Sequence, residues 1–384
     1  MNFEFATAGR ILFGRGVLKQ LGPFTATLGR RALVVTGHAS GRAERLLEGL
    51  AGQGLHFALW PVEGEPTVQA VARGVEVARE AGCDLVVGIG GGSAVDAGKA
   101  IAALAANPGD PFDYLEIIGR DQPLTNIPLP FIAVPTTAGT GAEVTRNAVL
   151  ASPEHGLKVS LRSPLMLPQA AFVDPELALT VPPDVTAATG MDALSQLLES
   201  FVSARANPVT DALCRKGLSL AAHSLRRVYE DGLDIAAREE MALAALLSGM
   251  ALANAGLGAV HGFAAVLGGT VQAPHGALCA RLLPAVMTAN IEALERREPQ
   301  NHALARYTLT ARILTGFERA EARDGVRWVE ELARDLAIPP LRECGVSSSD
   351  FAVICENASK ASSMKGNPIT LTAEELKEIL ERAL

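Results

Sequence analysis

"DLVVGIGGGSAVDAGKA", residues 84–100, carries an apolar strand into a helix through a run of glycines. Gly88, Gly90, Gly91 and Gly92 let a backbone approach a ligand closely. A helix beginning near Ser93 offers unpaired N–H groups and the positive end of its dipole. A pyrophosphate suits such a turn; a helix entry with no ligand is the plainer reading. Ser93 stands where the third glycine of G-x-G-x-x-G belongs, so the common dinucleotide fingerprint is not met. Nor is this a P-loop, because Gly98-Lys99 lacks the earlier glycine and the following Ser/Thr.

The same strand-to-helix rhythm extends on both sides. Residues 31–37 (RALVVTG) and 56–62 (HFALWPV) read as strands, 131–141 (FIAVPTTAGTG) as a strand leading into a small-residue turn, and residues 42–52, 67–82 and 94–106 as helices. That alternation predicts parallel strands joined by crossover helices. After "FVDPELALTVPP" (172–183) the pattern changes to long Ala/Leu-rich periodic stretches, near 185–203, 208–230, 235–254, 259–270, 276–295, 301–316 and 321–338. These predict an all-helical second domain. The Pro182-Pro183 pair sets the expected division, 1–182 and 183–384.

The 384 residues, 48% hydrophobic and 20% charged, fit a globular protein of two domains. A net charge of -8 without a basic block argues against nucleic acid or an anionic membrane as partner. No secretory signal or continuous apolar span is visible, so a cytoplasmic location is expected. The cysteines (Cys83, Cys214, Cys279, Cys344 and Cys355) form no CxxC pair and read as free thiols rather than disulfides or metal ligands.

A second small-residue turn, "PTTAGTGAEVT" (135–145), places Thr136, Thr137 and Thr140 at the end of another parallel strand. Ligands of open α/β sheets gather at the carboxyl ends of strands. In the second half, His261 and His275 each precede a glycine in a nearly uncharged segment. "GMDALSQLLES" (190–200) aims Asp192 and Gln196 from one helix face. Buried imidazoles and carboxylates need partners. A divalent cation between Asp192, His261 and His275 would supply one, and separate core hydrogen bonds are the alternative.

These motifs, with "ILFGRG" (11–16), "VDPELALTVPP", "TGMDALSQLLESFVS", "HGFAAVLGGTVQAPHG" and "NPITLTAEELKEIL" (367–380), resemble the iron-containing (group III) alcohol dehydrogenases, relatives of glycerol dehydrogenase and dehydroquinate synthase. The resemblance runs nearly end to end. It implies a dehydroquinate synthase-like architecture: a Rossmann-like α/β domain, a helical domain and an active site in the cleft between them. It implies a pyrophosphate loop at Gly90, Gly91, Gly92 and Ser93 with Asp96 nearby. Further cofactor contacts would come from Gly37, Thr136, Thr137, Thr140, Thr145, Lys158 and Leu179. The family's Asp-His-His-His metal ligands correspond to Asp192, Gln196, His261 and His275. A homodimer is implied as well.

Three departures stand out. Gln196 replaces a ligand histidine with a weaker donor, so Fe²⁺ or Zn²⁺ is expected to bind weakly, with altered preference, or not at all. Ala265 stands where many members carry a further histidine near the substrate, so protons must travel by water or a ribose hydroxyl. Gly37 replaces the aspartate that favours NAD, which leaves room for NADP, with His38, Ser40 or Arg42 to meet its phosphate. The expected function is an NAD(P)-dependent alcohol dehydrogenase or aldehyde reductase acting on a small molecule. Asp192, His261 and His275 would be its catalytic residues. The alternatives are a metal-independent reductase resembling maleylacetate reductase and a non-catalytic nucleotide sensor.

Overall fold

The computed structural model describes residues 2–37 and 41–384, apart from the side chains of Arg42 and Arg45. The chain forms two compact units: residues 7–137 with 141–180, and residues 181–384 with 2–6 and 138–140. The two short stretches, which the sequence suggested for the first domain, group with the helices instead. The Asn254 side chain exchanges hydrogen bonds with the Ala6 backbone (2.7 and 2.9 Å), and Gly139 packs directly on Thr189.

The first unit is built on a six-stranded parallel sheet. Its strands are β1 (Ile11–Phe13), β2 (Arg31–Thr36), β3 (His56–Pro61), β4 (Leu85–Gly90), β5 (Phe131–Pro135) and β8 (Ala170–Val173), in the order β1-β8-β5-β4-β2-β3. Strands β6 (Asn147–Ser152) and β7 (Leu157–Arg162) form a separate antiparallel hairpin, which the sequence reading did not anticipate. Helices α1 (Leu21–Thr25), α2 (Gly41–Ala51), α3 (Val68–Glu80) and α4 (Gly92–Ala106) complete the unit.

Side-chain alternation along each strand explains why both faces are covered. Leu33, Val35, Val86 and Ala133 join one core with residues of α3 and α4. Ala32, Val34, Leu85, Val87 and Ile132 join the other with residues of α1 and α2. The chain moves outward from β2 to β3, then returns to place β4 on the other side of β2. That reversal is the switch point where such sheets bind ligands.

The second unit is helical, as its periodicity predicts. It contains α5 (Pro183–Val202), α6 (Pro208–Glu230), α7 (Ile235–Ala255), α8 (Ala259–Thr270) and α9 (His275–Arg297). Then follow α10 (His302–Thr315), α11 (Ala322–Asp335), α12 (Phe351–Lys360) and α13 (Ala373–Ala383). Proline at the first position of α5 and an Asn207/Thr210 capping box on α6 mark where these helices start. Buried Arg238 of α7 secures the entry to α5 by donating to Thr186 Oγ1 (2.9 Å) and the Val181 carbonyl (3.1 Å). Helices α5 and α9 are buried along most of their length, so polar side chains on them must find partners inside the protein.

Candidate active site

At the switch point of the first unit, the Gly37 N–H donates to the Ile89 carbonyl (3.2 Å), and a Cβ on Gly90 would lie 3.2 Å from Gly37 N and 2.6 Å from Ala94 Cβ. Glycine is needed there because β2 and the entry to α4 come too close for a side chain. Gly91 is the N-cap of α4, and Gly92 and Ser93 open its first turn. The Thr136 N–H donates to the Gly90 carbonyl (2.8 Å), and a Cβ on Gly91 would lie 3.4 Å from Thr137 Oγ1. Gly37, the 90–93 loop, Thr136 and Thr137 therefore meet at the carboxyl ends of β2, β4 and β5. Thr140 belongs to the helical unit.

The remaining nucleotide candidates have other engagements. Asp96 accepts from the Val149 N–H (3.1 Å), and burial raises its carboxyl pKa despite nearby Lys99. Thr145 is buried, accepts from Lys99 Nζ (3.0 Å) and donates to the Ala142 carbonyl (3.2 Å). Lys158 pairs with Glu65. The Leu179 N–H donates to Glu176. His38, Ser40 and the Arg42 side chain lie outside the described residues. Lys99, which the sequence reading passed over, is buried and donates to the carbonyls of Ala142 (2.7 Å) and Asn147 (2.8 Å), pinning the 142–147 turn onto α4.

In the helical unit, one donor atom from each of Asp192, His261, His275 and Cys279 lies within 4.8 Å of the others. Asp192 Oδ1 is 3.3 Å from His261 Nε2 and 4.0 Å from His275 Nε2. Cys279 Sγ is 3.8 Å from His261 Nε2 and 3.5 Å from His275 Nε2. The set mixes carboxylate, imidazole and thiol on a buried site, which suits a divalent transition metal.

Three helices build this cluster. Asp192, Gln196 and Glu199 share one face of α5. His261 stands in the first turn of α8, and Glu199 anchors that turn twice. Its Oε1 accepts from the Val260 N–H (2.6 Å), and its Oε2 accepts from His261 Nδ1 (2.6 Å). The second bond places the proton on Nδ1 and leaves Nε2 able to coordinate. The α8 start is also held by Asn367, whose Oδ1 accepts from the Ala259 N–H (3.1 Å) and from Asn290 Nδ2 (3.2 Å). His275 is the first residue of α9 and Cys279 follows one turn later. Gly276 lets this end of α9 sit on α5: an added Cβ would meet the Ala188 carbonyl oxygen at 2.0 Å.

Gln196, a ligand candidate from the resemblance, is already bonded. Its Oε1 accepts from Ser248 Oγ (2.8 Å). Burial alone would raise the Asp192 pKa, but the bonds from His261 and Gln196 and the charge of His275 hold it below the usual carboxylate value. Burial likewise opposes charge on Cys279, and the two histidines outweigh it, lowering the thiol pKa. Both imidazoles are raised in turn, against burial, chiefly by Cys279 and, for each, Asp192. A cation entering this set would exchange with protons.

The sequence reading missed Glu199 and Cys279. Glu199 lies seven residues after Asp192, two helical turns on, which was a usable signal. Cys279 lies four after His275. Phe263 and Leu267 are fully buried in the helical core.

The chain matches the family described as "Iron-containing alcohol dehydrogenase" over residues 8–175, and its C-terminal counterpart, "Fe-containing alcohol dehydrogenase family, C-terminal", over residues 186–384. It is 37% identical to the 1,3-propanediol dehydrogenase of Klebsiella pneumoniae, across 99% of this chain and 98% of that protein. It is 33% identical to the NAD-dependent methanol dehydrogenase of Bacillus methanolicus, across 100% of each. A crystal structure of a 1,3-propanediol oxidoreductase has the same fold, with a TM-score of 0.93 at 35% identity over 100% of both chains.

Proposed function

The chain belongs to the iron-containing alcohol dehydrogenase family, and from that premise we propose that it moves hydride between a nicotinamide cofactor and a small primary alcohol or its aldehyde, with a divalent cation held by Asp192, His261 and His275. The observation that carries this reading is the convergence of those three donors on one buried point, with His261 set in its metal-binding tautomer by Glu199. A cation bound there would act as a Lewis acid on the substrate oxygen.

The chain's own residues do the rest. Asp192 contributes negative charge, and the Gln196 amide keeps its carboxylate oriented. His261 and His275 contribute neutral imidazole nitrogens. Gly90, Gly91, Gly92 and Ser93 would receive the cofactor pyrophosphate on the first turn of α4, with Gly37, Thr136 and Thr137 beside it. Asp96, Thr140, Thr145, Lys158 and Leu179 complete the proposed cofactor-binding set, with Asp96 and Thr145 acting by supporting the turns around it. Gly37 presents no carboxylate to repel a 2′-phosphate, so we assign the enzyme use of both NADP and NAD. Ala265 offers no proton, which leaves water or the cofactor ribose to exchange it with the substrate oxygen.

The test is reduced-nicotinamide consumption with a panel of short aldehydes, comparing metal-stripped protein, protein reloaded with Fe²⁺ or Zn²⁺, and the His261→Ala variant. Turnover should appear on reloading and fall by at least about 10²-fold in the variant. Full turnover in stripped protein would refute the metal-assisted reading and favour the metal-independent reductase.

A further inference from the structure

The resemblance to the family supplies four ligand positions, and the second of them is a glutamine in this chain. The structure places a different side chain where a fourth donor is needed. Cys279 Sγ is fully buried and lies 3.5 Å from His275 Nε2 and 3.8 Å from His261 Nε2. A tetrahedral cation with bonds of about 2.0–2.1 Å to nitrogen or oxygen and about 2.3 Å to sulfur has ligand-to-ligand edges of roughly 3.3–3.6 Å. Four of the six edges among Asp192, His261, His275 and Cys279 run from 3.3 to 4.0 Å, and all lie within 4.8 Å. Gln196 is meanwhile committed to Ser248 through its oxygen and stands one helical turn from Asp192 on the same face of α5.

We propose that Cys279 is the fourth metal ligand, bound as a thiolate, and that Gln196 is a positioning residue for Asp192. This rests on the metal-assisted reading above. The ligand has moved from α5 to α9, one helical turn beyond His275, with both α9 donors delivered by the same turn. The exchange changes the chemistry of the shell. An Asp-His-His-Gln shell around a divalent cation carries a net charge of +1; the Asp-His-His-Cys shell is neutral. Sulfur also makes the site softer, so among the family's expected metals it selects Zn²⁺ over Fe²⁺.

The deciding experiment is X-ray absorption at the zinc edge on the zinc-loaded wild-type protein, alongside Cys279→Ser and Gln196→Ala, with zinc affinity measured by chelator competition. Wild type should show one sulfur neighbour at about 2.3 Å. Cys279→Ser should lose it and bind zinc more weakly by more than the roughly 10–100-fold that follows loss of a hydrogen bond supporting a ligand. Gln196→Ala should keep the sulfur neighbour. Bound zinc with only nitrogen and oxygen neighbours in wild type overturns the cysteine assignment and leaves the metal-assisted reading standing. No stoichiometric zinc or iron in wild type overturns both. The wild-type spectrum decides the matter if a variant fails to fold.

Discussion

Glu199 meets the cluster through His261, and it governs whether that imidazole can coordinate. Its carboxylate accepts hydrogen bonds from His261 Nδ1–H and from the Val260 N–H at the start of α8. Glu199→Gln keeps the shape and removes the charge that makes Nε2 a stronger donor. We expect zinc affinity to fall by roughly 10–100-fold with far-ultraviolet circular dichroism unchanged, as read by chelator competition. Asp192, His261 and His275 were legible in the sequence because polar residues in uncharged, apolar surroundings stand out. Cys279 was not, because a cysteine among Ala and Leu looks like ordinary core. Its meaning depends on α9 beginning at His275 itself, one residue before the expected start near 276, which puts the two side chains on one face.

At the scale of elements, the contact of α9 with α5 leaves no room for a side chain at Gly276. Gly276→Ala forces a Cβ to within 2.0 Å of the Ala188 oxygen, so the start of α9 must shift. We expect a loss of at least about 2 kcal/mol in denaturant unfolding, accompanied by loss of zinc binding, since His275 and Cys279 move with that turn. An unchanged midpoint would mean the two helices separate without cost. Elements with strong periodicity, such as β2, β4, α4 and α5, could be read directly from the residues. The β6–β7 hairpin could not, because its short strands lie among turn residues and their antiparallel pairing depends on partners the local pattern does not name. The grouping of residues 138–140 with the helical unit is equally invisible from sequence, since it is set by the close packing of Gly139 on Thr189.

For the whole molecule, the pH dependence of stability has a clear contributor away from the cluster. Burial raises Glu143, in the turn after β5, from 4.5 to about 7, opposed in part by Lys99. The folded protein therefore holds this proton over a range in which the unfolded chain has released it. Its contribution is fully present below about pH 4.5 and is lost as pH rises through 7. Glu143→Gln keeps a neutral side chain at every pH. The variant should gain stability over wild type progressively between pH 4.5 and 7, reaching on the order of 2 kcal/mol above it. Urea unfolding of the pair at pH 5 and pH 8, conditions bracketing about 7, measures this, and equal differences at both would remove Glu143 as the source.

Asn367 ties the last stretch of the chain to the beginning of α8, where its side-chain oxygen receives the Ala259 N–H. Asp192, His261, His275 and Cys279 all leave the ribosome well before Asn367 does. A nascent chain that has emerged only through α12, at Lys360, has every donor but lacks the amide that fixes the first turn of α8. The full set of bonds at the start of α8 therefore closes only when synthesis is nearly complete. A chain clipped before residue 367 would keep Glu199 on the Val260 N–H and His261 Nδ1 but lose the bond from the Ala259 N–H, leaving the first turn of α8 held from one side only.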